Sequence, residues 1–149
     1  MLVSLALIPI LVSPALAVRL SPQADRDFEL GLSAYEQDDL REARKRFEAI
    51  VESPDNQRTS AALLMLTRTL LRAEQFRGGL DVAKRLEREY PNSRYAADVQ
   101  LLIGDCYLGL QRRYEGAVHY AGLLDDLTAP IALRASAAER LTVIFRNHL

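Results

Sequence analysis

The 149 residues contain no tryptophan, one cysteine, two histidines and two methionines. A single cysteine excludes an internal disulfide framework, so no covalent staple holds the fold. Neither sign of charge is in excess: 19 Lys and Arg stand against 20 Asp and Glu, for a formal net charge of -1. The basic stripe that nucleic acid binding demands is therefore missing. Also absent are a G-x-S-x-G nucleophile turn, a glycine loop for phosphates and an H-E-x-x-H zinc motif. What remains is 49% apolar and 26% charged, rich in Ala, Leu, Arg and Glu. These are strong helix formers, and no stretch alternates with the two-residue period of a strand, so the chain reads as all-α.

The first seventeen residues, MLVSLALIPILVSPALA, carry no charge. A short apolar core followed by Ala15-Leu16-Ala17 has the form of a secretory signal peptide cut after Ala17. A retained anchor is the alternative, but a spanning helix needs about 20 apolar residues, and Pro9 and Pro14 interrupt this stretch. A basic segment before the apolar core is missing, and no cysteine follows to carry a lipid. The reading predicts a mature chain from about Val18, without stable membrane insertion once the leader is removed.

Three segments then look alike: Phe28 to Asp55, Leu63 to Asn92 and Leu101 to Pro130. Each aligns on a small residue early in its second helix, taken as Ala43, Gly79 and Ala117. Those anchors lie 36 and 38 residues apart. A bulky residue precedes each by three (Leu40, Phe76, Tyr114), and Ile50, Leu86 and Leu124 follow by seven. Thirteen residues before the anchors stand Leu30 and Leu66, with Ile103 one residue further back, which places an extra residue in the Gly-Leu-Gln-Arg-Arg turn of the third segment. Helix starts are expected at Asp38-Asp39, Ser60 and Asn92-Ser93, and stops at Pro54, Pro91 and Pro130.

The spacing is close to the roughly 34 residues of a tetratricopeptide unit, and the residues resemble that family. Its Leu-Gly pair appears as Leu30-Gly31 and Ile103-Gly104. Its two small positions appear as Gly31 and Ser33, Thr67 and Thr69, and Gly104 and Cys106. The family's tryptophan is absent, and Gly79 replaces its second-helix alanine. The resemblance implies an α-α superhelix of three helix pairs, about 25–57, 60–92 and 97–130, plus a final helix over 131–147. The turn and helix around Tyr90-Pro91-Asn92-Ser93 and Gly104-Asp105-Cys106-Tyr107 is similar in style to Gram-negative envelope proteins such as the Tol-Pal-associated cell-division coordinator and the outer-membrane assembly lipoprotein.

The resemblance further implies a non-enzymatic protein without cofactor or metal, working in the periplasm and binding another envelope protein or peptide. Its groove positions carry over to Phe28, Leu32, Tyr35 and Glu36; to Leu64, Arg68 and Arg72; and to Leu101, Asp105 and Leu108. Arg68 and Arg72 are expected to hold a carboxylate or backbone carbonyls of an extended partner. The clamp by which some family members hold a terminal carboxylate is not expected, because Phe28 and Leu32 occupy its Lys and Asn positions. Cys106 and His119 are the remaining candidates for chemistry. Cys106 sits at a packing position, and His119 has Glu115 one turn away but no second His or Cys at ligand spacing. His119 is therefore expected on a polar helix surface.

In the last helix Val143, Ile144 and Phe145 cannot all point inward. Either this end docks on a partner or a second copy, or the chain is the N-terminal helical segment of a larger envelope protein, such as a synthase activator or a substrate-binding protein.

Overall fold

A computed structural model describes residues 19–146, so the expected signal peptide and His148 lie outside the described residues. Seven helices form among the described residues: α1 (Pro22–Glu36), α2 (Leu40–Glu52), α3 (Thr59–Arg72), α4 (Phe76–Glu89), α5 (Ala96–Gly109), α6 (Arg113–Asp125) and α7 (Ile131–Arg146). No strand forms among these residues, and none of the helices is long and apolar enough to cross a membrane. Consecutive helices pack on each other, and the first helices α1, α3, α5 and α7 also touch in series. The second helices α2, α4 and α6 do not touch one another. That asymmetry bends the stack into a superhelix with the first helices on its inner, concave face.

Local chemistry sets the turns inside each pair. Asp38, Glu74 and Gln111 all take positive φ (64°, 57° and 61°) one residue before the cap of the second helix. The next residue then donates its backbone N–H back into the first helix: Asp39 to Ala34 O at 2.9 Å, Gln75 to Leu70 O at 2.8 Å and Arg112 to Tyr107 O at 2.8 Å. Such bonds satisfy carbonyls that a helix end leaves open. Asp39 also caps α2 by accepting from Glu42 N at 3.0 Å, and Ser21 caps α1 by accepting from Ala24 N at 3.1 Å, with Pro22 at the first position.

The other expected caps are corrected. Ser60 lies inside α3, and α5 begins at Ala96, beyond Asn92-Ser93. The chain enters α3 through Asn56, whose side-chain oxygen accepts from Arg58 N at 2.9 Å. Its backbone N–H donates to Thr59 Oγ1 at 3.0 Å. A polar knot wound around a buried Asn56 does the work expected of one serine.

The repeat phase is corrected as well. All three pairs share one turn geometry, so the Gly-Leu-Gln-Arg-Arg turn holds no extra residue. The third anchor is the buried Gly116; Ala117 is only partly buried. In this register Ala43, Gly79 and Gly116 fall 36 and 37 residues apart, and the single extra residue lies between the second turn and the third repeat. Each anchor is followed at four residues by Phe47, Ala83 and Tyr120, and at seven by Ile50, Leu86 and Leu123, all at most 2% exposed. Tyr114, expected as a packing residue, is 80% exposed, and Leu124 gives way to Leu123. Leu30 is also exposed, because no helix precedes α1 among the described residues to cover the position that buries Leu66 and Ile103.

Close approach holds each pair together. A Cβ on Gly31 would lie 2.7 Å from the Phe47 ring, and one on Gly104 would lie 2.4 Å from the Tyr120 ring. Gly122 on α6 faces open space. Gly104→Ala is therefore expected to destabilise the protein by about 1–3 kcal/mol, since the buried ring has nowhere to go. Gly122→Ala is expected to stabilise it by about 0.5–1 kcal/mol through helix propensity alone. The midpoints of urea unfolding followed by circular dichroism read both signs.

Candidate partner-binding face

The inner face is built where one first helix lies beside the next, and an ion pair crosses each of those seams. Arg58, at the cap of α3, meets Asp25 of α1 at 2.6 Å, and Arg68 of α3 meets Asp98 of α5 at 2.8 Å. Arg140 of α7 clasps Asp105 of α5 with Nε on Oδ1 and Nη2 on Oδ2, the second bond at 3.1 Å. The same carboxylate accepts from Tyr120 Oη at 2.7 Å. Arg58 lies 4.8 Å over the Phe28 ring, and Arg72 lies 5.1 Å over Tyr35. The Arg58 guanidinium beside Asp25 holds that carboxyl below its usual range, with Gln57 lowering it further.

The ten positions carried over from the family separate by burial. Phe28, Leu64 and Leu101 are buried and belong to the packing between helices. Leu32, Tyr35 and Leu108 are partly buried, and Glu36 is exposed. Arg68 is engaged with Asp98. Arg72 donates to the backbone carbonyl of Tyr35 at 3.1 Å and pairs with Asp38 at 2.9 Å. The two arginines thus already hold a carboxylate and a carbonyl, both from within the chain. The groups left open at the α1 end are Leu32, Tyr35 and Glu36. Sequence reasoning missed Asp25, Asp98 and Arg140, whose significance appears only once α1, α3, α5 and α7 are side by side.

Two surface cavities lie away from these ten residues. One of about 590 Å³ is lined by Arg19, Leu20, Ser21, Pro22, Gln23, Arg26, Ser53, Pro54 and Asn56. Another, of about 420 Å³, lies between the α2–α3 and α4–α5 loops and includes Asp55, Gln57 and Tyr90. Tyr90 donates its hydroxyl to Asp55 there at 2.5 Å, and burial with that carboxylate pushes the phenol up to about 12. The first helices together form the concave trough, and none of its ten residues lines either of these cavities.

The two residues singled out for chemistry are both packed. Cys106 is fully buried, and its sulfur sits 3.2 Å from where a Cβ on Gly79 would stand. A small side chain is required there for α5 to approach α4. Burial, and then the charge of Asp105, push its thiol up to about 12. His119 corrects the expectation of a polar surface position: it is partly buried, with its ring stacked on Tyr107 at 5.5 Å. Nδ1 lies 2.9 Å from Gln100 Oε1, and burial lowers its pKa. Glu115 turns away from it to pair with Arg112 at 2.7 Å. Among the described residues no group of three or more His, Cys, Asp or Glu is placed to hold a metal ion. An aromatic disulfide reagent at pH 8 is expected to label Cys106 at least ~100-fold more slowly in the native protein than in urea, because the thiolate is scarce and enclosed. Rapid native labelling would return Cys106 to the list of reactive groups.

Comparison with known proteins agrees with this architecture. Residues 27–56 match the tetratricopeptide repeat family. No curated protein matches the chain. Among solved structures, PcrH from Pseudomonas aeruginosa superposes with a TM-score of 0.73, covering 88% of this chain and 98% of that one. At 17% identity this likeness speaks for the fold alone. The chain carries a tetratricopeptide repeat at residues 27–56 and has the tetratricopeptide-like all-α solenoid fold through its described length.

Proposed function

We propose that this protein is a non-enzymatic adaptor that holds another polypeptide along its concave face, and that it does so in the periplasm of a Gram-negative bacterium after export. The observation that carries the binding role is the trough of first helices, with the half-buried apolar side chains Leu32 and Tyr35 beside a ladder of internally satisfied ion pairs. Because Asp25, Asp98 and Asp105 are each matched to an arginine of the neighbouring helix, the trough offers little net charge. A partner is then chosen by shape and apolar contact, and its affinity depends only weakly on salt. Export rests on the apolar leader with its Ala15-Leu16-Ala17 end and on the similarity of style to envelope proteins.

A second reading makes these helices the front of a larger envelope protein, and it draws on the absence of a helix paired with α7 among the described residues. The coding frame past Leu149 distinguishes the two.

A photo-crosslinking residue placed at Leu32 or Glu36 is expected to capture a partner in the envelope fraction. The same residue at Arg41 or Lys84, on the outer faces of α2 and α4, is expected to capture none. Equal capture from both faces would count against the trough. This chain itself, isolated from the envelope fraction, is expected to begin at Val18, and a retained Met1 would count against cleavage after Ala17.

A further inference from the structure

The helical stack ends differently at its two extremities. On α1, the side that would face a preceding repeat carries Arg26, Glu29 and Ser33, all exposed. The same positions hold Ala62, Met65 and Thr69 in α3, and Val99, Leu102 and Cys106 in α5, all buried. The α1 end is thus polar, as the outermost face of a repeat stack must be to stay in water. The single exposed Leu30 is its one apolar interruption.

The α7 end is built otherwise. Placing the fully buried Ala137 where α5 has the fully buried Ile103 sets the two helices in phase. Ala138 then takes the place of Gly31, Thr67 and Gly104, the positions at which each first helix receives its second helix. Ile131, Ala135, Ala138, Thr142 and Phe145 form one ridge on this side, spaced four, three, four and three residues apart. The ridge carries no charge, and its two bulky members are 81% and 63% exposed. Tyr114, 80% exposed, sits at the end of the antiparallel α6 nearest Phe145. No helix among the described residues covers this side of α7.

We propose that this face is covered by α7 of a second copy, packed antiparallel about a two-fold axis through Ala138. The ridge has the symmetry that such a contact requires. Bulky side chains stand seven residues before and seven residues after Ala138, and small ones stand three before and four after. An antiparallel copy therefore sets Ile131 against Phe145 twice and lets the helices close together at the alanines. A self-complementary patch of this kind is what a two-fold interface needs, whereas docking of an unrelated helix places no symmetry on the sequence. The contact also continues the stack's own packing, filling on α7 the side that α2, α4 and α6 fill on their partners. The net charge of -1 leaves two copies without long-range repulsion. The helices share about 24 Å of length, which makes the association weak and dependent on concentration. This inference does not rest on the concave trough.

Sedimentation equilibrium on the full chain tests it. The mass is expected to rise from 16.7 kDa toward twice that value with concentration. Ile131→Glu combined with Phe145→Glu is expected to weaken the association at least ~30-fold with an unchanged circular dichroism spectrum, since both side chains already face water. In the same register the two copies of Glu139 flank the axis, so Glu139→Gln is expected to tighten the dimer by about two-fold. Ala138→Cys is expected to form a disulfide-linked dimer under mild oxidation, with the buried Cys106 taking no part. A chain that stays monomeric at about 100 μM overturns the proposal. So does an association that survives the double glutamate variant, because the apolar leader or another surface would then be its source.

Discussion

Two helices can pair closely only where one of them gives up a side chain, and in this protein that exchange recurs in each repeat. Gly31 admits the Phe47 ring and Gly104 admits the Tyr120 ring, each at a distance that leaves no room for a methyl group. The middle repeat carries Thr67 and Ala83 at the corresponding positions, both at most 1% exposed. There the larger residue has moved to the first helix and the smaller to the second, so close approach is kept with a smaller pair of side chains. Thr67 keeps its hydroxyl satisfied by donating to Leu63 O at 2.9 Å, and therefore behaves as a space-filler. The same rule operates between repeats, where Gly79 and Cys106 meet across α4 and α5.

The inner face follows from that packing. With the first helices in series and the second helices apart, carboxylates and arginines on neighbouring first helices come within reach and bridge the seams. Partly exposed pairs of this kind contribute modestly to stability, but they fix which side chains remain available to a partner. At Asp105 the effect is strongest: Arg140 and Tyr120 both bind it, tying α7, α6 and α5 together beneath a core centred on Tyr120, Leu123, Ala137 and Ile144. Burial and the Asp105 charge hold the Tyr120 phenol far above its usual range, so it remains a hydrogen-bond donor at any physiological pH.

Much of this was legible in the sequence because repeats amplify weak signals. Helix type, the pairing of helices and the packing role of Cys106 all follow from small residues recurring in phase. The slip at Ala117 has a physical origin. Gly116 and Ala117 are both small, Leu123 and Leu124 are identical in type, and only burial separates the members of each pair. Tyr114 reads as core by its bulk and turns out to face water. The arginines misled for another reason. Their partners Asp98 and Asp38 lie 30 and 34 residues away in sequence, and no local pattern announces a pair that forms only across a seam. Asn56 is similar, since a side chain that organises a loop by three hydrogen bonds leaves no periodic trace.

The claim on which the rest depends is that the glycine and the ring are coupled parts of one contact. A double-mutant cycle at Gly104 and Tyr120, read by urea unfolding, tests it most directly. If the ring is what a methyl group at residue 104 meets, the penalty of Gly104→Ala should largely vanish in a Tyr120→Leu background, with a coupling of about 1–2 kcal/mol. Additive effects of the two substitutions would show that the helices do not meet there, and the register of the whole stack would fall with that contact.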